Sequence, residues 1–155
     1  MKNITTMSKA ALLLIITLFA FAADAKIRLP GFFSDHMVLQ RDMAAPIWGW
    51  GKPGETVTVK FAGQKATATT DEFGSWMVKL KPMKADSAGK VLSVNDISFK
   101  DILVGEVWVC SGTGNMDLPV RKCMNSRKEL KAADFPLIRL ANVNRAQSPL
   151  PENDA

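Results

Sequence analysis

The sequence predicts a β-rich fold in which a small antiparallel β-sandwich is followed by the strand–helix–strand start of a parallel α/β domain. From residue 28 to residue 100, short segments that alternate apolar and polar residues recur roughly every ten residues between turns, as in β-sandwiches. From residue 102 the apolar residues become nearly continuous in ILVGEVWV, which is typical of strands buried on both faces. A stretch of helical composition and a second apolar run follow, which is the element order of an α/β domain.

The first 25 residues have the composition of a secretory signal peptide. Two lysines and a largely apolar run over residues 10–22 precede the small residues Ala23 and Ala25, which predict cleavage before Lys26. The run is shorter than the roughly 20 residues that span a bilayer, so we expect no stable membrane anchor after cleavage. The predicted location is therefore exported, either periplasmic or extracellular.

Strands of the sandwich are predicted, in chain order, in MVLQR (37–41), PIWGWG (46–51), TVTVKFAG (56–63), KATATT (65–70), SWMVKL (75–80), KVLSV (90–94) and ISF (97–99). Val57, Val59 and Phe61 alternate with polar residues, and this period of two predicts that they face the core. KATATT and SWMVKL are predicted to pair as a hairpin around a turn that contains Gly74.

The tryptophans of the sandwich segment have two interpretations. Trp76 lies with Val78 and Leu80 on the predicted inward face of one strand, and Trp48 and Trp50 alternate along another. Packing in the core and at its rim explains all three, and a platform on which sugar rings stack is the alternative. The alternative predicts that the protein is an exported glycan- or partner-binding β-sandwich module.

Residues 105–155 are predicted to begin a second domain without completing it. Residues 117–133 have helical composition, Pro119 suits a first helical turn, and a core-facing stripe would contain Val120, Met124 and Leu130. PLIRLANV (136–143) is predicted to be the next strand. Because one strand–helix–strand unit cannot cover both faces of its own sheet, we expect a β-sandwich domain over 26–104 followed by an incomplete α/β fragment.

The turn that follows the predicted buried strand, within VWVCSGTGNMDL (107–118), has the setting of an active site but no evident reactive group. A dinucleotide fingerprint would need glycine at Asp117, and a P-loop would need lysine at Asn115. A Gly-x-Ser-x-Gly hydrolase elbow centred on Ser111 would need flanking glycines that the sequence lacks.

Four longer segments carry a family resemblance: SDHMVLQR (34–41), PIWGW (46–50), DILVGEVWVCSG (101–112) and PLIRL (136–140). They resemble the sialate O-acetylesterase family of secreted carbohydrate esterases, and the resemblance covers residues 28–143. It implies a β-sandwich-like region that leads into an SGNH-type α/β hydrolase domain. It also implies that the binding partner is an acetylated glycan or a sialic acid.

Family members typically read Cys-Ser-Gly-Gln-Ser-Asn-Met in the turn, and the second serine is the nucleophile. The positions of this chain that match the motif are Cys110, Ser111, Gly112, Asn115 and Met116. The glutamine position holds Thr113, and the nucleophile position holds Gly114, which has no side chain to attack an acyl carbon. The resemblance therefore implies that the chain contains no catalytic nucleophile.

The resemblance also implies a catalytic histidine and aspartate near the end of the α/β domain. The sole histidine of the sequence, His36, lies in the sandwich segment, where the resemblance implies a structural role. Acyl transfer needs a nucleophile, a base and oxyanion donors, so we expect the isolated chain to be a truncated, inactive family member, even as Gly114→Ser. The remainder of the hydrolase domain, encoded downstream, is a candidate partner.

Composition excludes several other functions. Removal of the signal lowers the formal net charge from +5 to +4, and the basic residues form no stripe with aromatics, so we expect no nucleic-acid partner. One histidine and two distant cysteines offer no metal-ligand spacing, and neither a metal nor a cofactor is predicted. Cys110 and Cys123 are predicted to be buried free thiols, with a disulfide as the alternative in an oxidising compartment.

Overall fold

The structure is a computed structural model that describes residues 26–112, 114, 116 and 118–143. The predicted signal peptide, Thr113 and Asn115 lie outside these residues. The strands are β1 (Val38–Gln40), β2 (Ala45–Trp50), β3 (Thr56–Phe61), β4 (Gln64–Thr69), β5 (Ser75–Leu80), β6 (Asp86–Val94) and β7 (Ile97–Gly105). A 3-10 helix (Val120–Lys122) and helix α1 (Ser126–Ala132) follow. The predicted β-rich character and each predicted strand up to β7 are confirmed.

The strands form two sheets. Five strands pair in the order β1-β7-β6-β3-β4, and β2 pairs with β5 in a separate two-stranded sheet. The prediction that all strands are antiparallel is wrong at one edge, where β1 runs parallel to β7 with Val38 opposite Leu103. A parallel pair needs a long connection between its strands, and the whole stretch from β2 to β6 supplies it.

The predicted hairpin between KATATT and SWMVKL is also wrong, because β4 and β5 belong to different sheets. β4 instead pairs with β3 through a two-residue turn in which Ala62 and Gly63 both have positive φ, as a type I′ turn requires. The turn around Gly74 is present, with φ +82, and leads the chain from one sheet to the other. Local patterns specify the strands, whereas the choice of partner depends on which apolar faces meet.

A single apolar cluster lies against both sheets. Val57, Val59 and Phe61 of β3 are at most 2% exposed, and Val78 and Leu80 of β5 are buried in the same cluster. The period-two prediction for these two strands is therefore confirmed. Because each strand places one apolar face against the cluster, burial holds the two sheets together. The side chain of Gln64 in β4 adds two hydrogen bonds to the backbone of Lys81, which follows β5.

The predictions for the segment after Gly105 are largely wrong. Residues 107–110 form no strand, residues 136–143 form no strand, and the α-helix is confined to seven residues. The predicted core-facing side chains are exposed, namely Val120, Met124 and Leu130. An apolar strand or helix face is stable only against a partner surface, and the described part of the chain packs no such surface on this segment. None of the described helices is long and apolar enough to cross a membrane.

Candidate functional site

Hydrogen bonds to Glu106 and Val107 hold the chain in place between the end of β7 and the glycine-rich turn. The Glu106 carboxylate accepts hydrogen bonds from Gln40 Nε2 at 2.9 Å and from Arg41 Nε at 2.6 Å. The Val107 amide donates to Gln40 Oε1 at 2.8 Å. The hydrogen bond from Gln40, followed by that from Arg41, lowers the pKa of Glu106, so the carboxylate stays ionised at this junction.

Beyond this junction the turn is exposed to solvent. Cys110, Ser111 and Gly112 are exposed, and Met116 is 55% exposed. Gly114 has φ +63, and a Cβ atom built on it would have no neighbouring atom within 4 Å. Position 114 therefore has room for a side chain, but its backbone is in the left-handed region that disfavours every residue except glycine.

Both cysteines are free and exposed, which corrects the prediction of burial. Cys110 would have been covered had residues 107–110 joined a sheet, and Cys123 would have been covered had the helix packed on that sheet. Cys123 Sγ donates a weak hydrogen bond to the Pro119 carbonyl oxygen at 3.8 Å. Exposure places both thiols in contact with solvent.

The histidine, His36, lies just before β1, far from the glycine-rich turn in sequence, and it contacts the carboxylate of Asp101 in β7. His36 Nδ1 lies 2.6 Å from Asp101 Oδ2, and Arg139 Nη2 donates to the same oxygen at 2.8 Å. The hydrogen bond from His36 and the charge of Arg139 lower the pKa of Asp101. The sequence reasoning missed this cluster, because the members lie up to 103 positions apart and only the fold brings them together.

The ion pair at Asp101 has a structural consequence for the end of the described chain. Arg139 belongs to PLIRL, and its guanidinium ties that segment to β7 although the segment forms no strand. His36 and Asp101 both have positive φ, at 67° and 54°. Two non-glycine residues in this strained region at one contact indicate that the surrounding hydrogen bonds hold the pair in place.

Trp48, Trp50 and Trp76 line a cleft beside β2 and β5, at a different place from the glycine-rich turn. The cleft has a volume of about 490 Å³ and is lined by Trp48, Gly49, Trp50, Ala68, Thr69, Asp71, Ser75, Trp76 and Met77. Trp76 is buried, as its place on the inward face predicts, whereas Trp48 and Trp50 are half-buried. Sequence reasoning singled out the tryptophans but missed the residues from β4 and from the turn after it, because they join the cleft only through the two-sheet arrangement.

Neighbouring side chains hold the two half-buried rings. Phe33 packs edge-on against Trp48 with ring centroids 4.9 Å apart. The Arg28 guanidinium lies 5.2 Å from the centre of the Trp50 ring, within the range of a cation–π contact. Between the two rings, a Cβ atom on Gly49 would collide with the Arg28 carbonyl oxygen. A glycine is required there for the amino-terminal segment to approach β2.

The described residues contain no group of three or more His, Cys, Asp or Glu side chains that could hold a metal ion. The same residues bring no histidine to the glycine-rich turn, since the sole histidine of the sequence is bonded to Asp101.

No protein-family model matches the chain. Among curated proteins, the chain is 35% identical over 151 residues to the sialate O-acetylesterase of Mus musculus, which covers 88% of this chain and 28% of the relative. It is also 35% identical over 142 residues to the sialate O-acetylesterase of Homo sapiens, covering 82% of this chain and 27% of the relative.

Among solved structures, the chain resembles a carbohydrate acetylesterase from Xanthomonas citri, with a TM-score of 0.65 and 32% sequence identity. The match covers 72% of this chain and 26% of that one. The chain thus spans little more than a quarter of the length of the relatives that it matches.

Proposed function

The chain belongs to the sialate O-acetylesterase family, and from this premise we propose that it forms the amino-terminal part of a carbohydrate acetylesterase and hydrolyses no ester by itself. The observation that carries the proposal is Gly114, which stands at the family's nucleophile position and offers no oxygen or sulfur atom. An acyl transfer by this route needs a nucleophile, a base that takes its proton and donors for the oxyanion.

The neighbouring groups do not replace these parts. Ser111 lies three residues before Gly114, and catalysis tolerates misplacement of a reacting atom by well under 1 Å before the rate falls steeply, by roughly a hundredfold per ångström. His36 is bonded to Asp101 at β7 and so is oriented by a contact that lies outside the turn. The substrate of the complete enzyme is proposed to be an acetylated carbohydrate, as the names of the relatives suggest for those proteins.

We assign residues 26–104 to a β-sandwich and residues 105–143 to the start of an SGNH-type hydrolase domain. The apolar cluster shared by the two sheets supports the first assignment. The second is supported by the many exposed apolar side chains of the later segment, which include Trp108, Val109 and Leu140, each at least 82% exposed. Soluble proteins rarely leave so much apolar surface uncovered, so the remainder of the hydrolase domain is the proposed partner that covers it.

A hydrolysis assay tests the inactivity. The purified chain is expected to hydrolyse an aryl acetate no faster than buffer does. Gly114→Ser is expected to be equally inactive, although its side chain has free space, because the described residues bring no histidine to the turn and the backbone strain costs about 1 kcal/mol. Turnover by the unaltered chain that persists in Ser111→Ala and Thr113→Ala variants would contradict the proposal.

A complementation experiment tests the family role. The portion of the Xanthomonas citri acetylesterase outside the matched segment is mixed with this chain or with its Gly114→Ser variant. Activity is expected only in the mixture that contains the serine variant, and Ser111→Ala in that variant is the matched control that should retain it. If the mixture with the unaltered chain is as active, Gly114 is not the position that decides catalysis. The DNA downstream of the gene provides a further check, through a reading frame that encodes more strands and an Asp-x-x-His ending.

We also propose that the protein is exported, on the basis of its first 25 residues. Amino-terminal sequencing of the protein recovered from the periplasm or the medium is expected to begin at Lys26. Recovery of the uncleaved chain from the cytoplasm alone would remove this proposal.

A further inference from the structure

We propose that the cleft beside β2 and β5 binds a neutral pyranose saccharide, at a site separate from the glycine-rich turn. The proposal goes beyond ester hydrolysis, because binding in the cleft requires no nucleophile and no other part of the hydrolase domain. The cleft lies entirely on elements between Trp48 and Met77, so the described chain contains all of it.

The size and rigidity of the cleft suit a small ligand. Its volume of about 490 Å³ falls within the range of small-molecule sites, about 300–1,000 Å³. β2 and β5 are paired in unbroken antiparallel register from Ala45 opposite Leu80 to Trp50 opposite Ser75. A site on two paired strands loses little conformational freedom when it binds, which favours affinity.

The aromatic side chains provide the apolar part of the site. Trp48 and Trp50 are two positions apart on β2 and therefore project to the same face of the sheet, where Met77 lies directly opposite Trp48. Both rings are half-buried, so each keeps exposed surface while Phe33 or Arg28 holds it. The C–H face of a pyranose ring is apolar and matches the electron-rich face of an indole.

The polar side chains are arranged around these rings. Thr69 and Ser75 contribute hydroxyl groups, which both donate and accept hydrogen bonds as sugar hydroxyls do. Asp71 is held in place because its Oδ1 accepts the amides of Phe73 at 3.0 Å and Ser75 at 2.8 Å. Trp76 is 4% exposed, and its indole N–H has no hydrogen-bond partner among the described residues. Because Trp76 pairs with Gly49, it points to the core face of the sheet, opposite to Trp48 and Trp50, and the hydrogen bonds to a sugar come instead from Thr69, Ser75 and Asp71.

The charge of the lining favours a neutral sugar over an acidic one. Asp71 is the only charged residue among the nine that line the cleft. The carboxylate of a sialic acid would be repelled by it, whereas the hydroxyl groups of a neutral sugar can donate to it. The nearby cation of Arg28 is engaged on the Trp50 ring and is not one of the lining residues.

Titration of the purified chain with cellotetraose, xylotetraose and mannotetraose, and with sialyllactose as the acidic comparison, tests the proposal. Calorimetry is expected to show at least one neutral tetrasaccharide binding with a dissociation constant of about 1 mM or below, and weaker binding of sialyllactose. Absence of binding by all three neutral sugars, or tighter binding of sialyllactose, overturns it.

A matched pair of variants locates the site. Trp50→Ala is expected to weaken binding about tenfold or more, because truncated aromatic anchors carry much of a binding energy. Trp108→Ala removes the same side chain from a position that is 82% exposed and outside the cleft, and it is expected to leave binding unchanged. Equal losses in the two variants overturn the assignment to the cleft.

NMR spectra of the unaltered chain locate the site even if the Trp50 variant does not fold. The four tryptophans of the sequence give separate indole N–H signals in NMR spectra, and each is assigned by its Trp→Phe variant. Saturating sugar is expected to shift the Trp48 and Trp50 signals and to leave Trp108 in place. A shift confined to Trp108, or no shift while calorimetry reports binding, overturns the proposal.

Discussion

Residues 26–105 and residues 106–143 both contain many apolar residues but differ in how far those residues are buried. Within the described residues, all sixteen buried hydrophobic side chains lie between Ile27 and Val104, and thirteen of the eighteen large exposed ones lie between Val107 and Val143. In the first region every apolar strand face has another to pack against. In the second, the same kinds of side chain face solvent, because burial requires a partner surface and cannot be specified by one segment alone.

This comparison explains why the two tested kinds of prediction had different outcomes. In a strand such as β3, the alternation of apolar and polar residues by itself predicts which face is buried. Val57 and Val59 are fully buried, as expected. The continuous run at 107–109 predicts a strand covered on both faces, and such a strand depends on helices and neighbouring strands from elsewhere. The relatives that the chain matches are more than three times as long as the matched segment.

The largest expected effect comes from the same substitution in the two regions. Val59→Asp, at a position with 0% exposure, places an unpaired carboxylate in the apolar cluster and is expected to lower the free energy of unfolding by about 4 kcal/mol or more. Val109→Asp, at 91% exposure, is expected to change it by less than about 0.5 kcal/mol. Urea unfolding followed by circular dichroism measures both. Equal effects would mean that residues 106–143 pack more closely than the structure shows.

A pair of glycine variants gives the next largest effect and separates packing from backbone strain. Gly49→Ala forces a methyl group against the Arg28 carbonyl oxygen and within 3.0 Å of the Trp76 ring, so we expect a loss of about 2–3 kcal/mol. Gly114→Ala meets no atom within 4 Å, and its φ of +63 limits the loss to about 1 kcal/mol. Thermal unfolding of the two variants checks the order. A larger loss for Gly114→Ala would show that the turn is packed rather than open.

The smallest expected effect concerns the ion pair that joins the two regions. The contacts of His36 and Arg139 lower the pKa of Asp101 in the folded chain from its ordinary value of 3.8. The stabilisation that they provide is therefore complete above that value and is lost as the pH falls through the lower, folded pKa. Asp101→Asn is expected to reduce the dependence of stability on pH in this acidic range, as measured by unfolding at a series of pH values. The exposed Asp96→Asn serves as its control, and an identical response of the two variants would contradict the role of the ion pair.

The candidate sites were predictable to different extents. The turn was identified from the sequence, since its glycines follow an apolar run and the neighbouring Cys110, Ser111 and Gly112 match the family motif. For the cleft, the sequence indicated only three tryptophans, which could serve either core packing or sugar stacking. Thr69 and Asp71 gave no sequence signal, because they reach the tryptophans only after β4 and β5 separate into different sheets.

By itself, the sequence determined the strands, their inward faces, the positive-φ turns and the lack of a reactive atom at Gly114. These properties depend on a residue and its near neighbours, through side-chain alternation, backbone sterics and the atoms that a side chain contains. Only the tertiary structure decided that β4 pairs with β3 and β5 with β2, that His36 meets Asp101 and Arg139, and that residues 107–109 stay exposed. Those outcomes depend on which surfaces are present to pack against each other, and a local pattern contains no information about a distant partner.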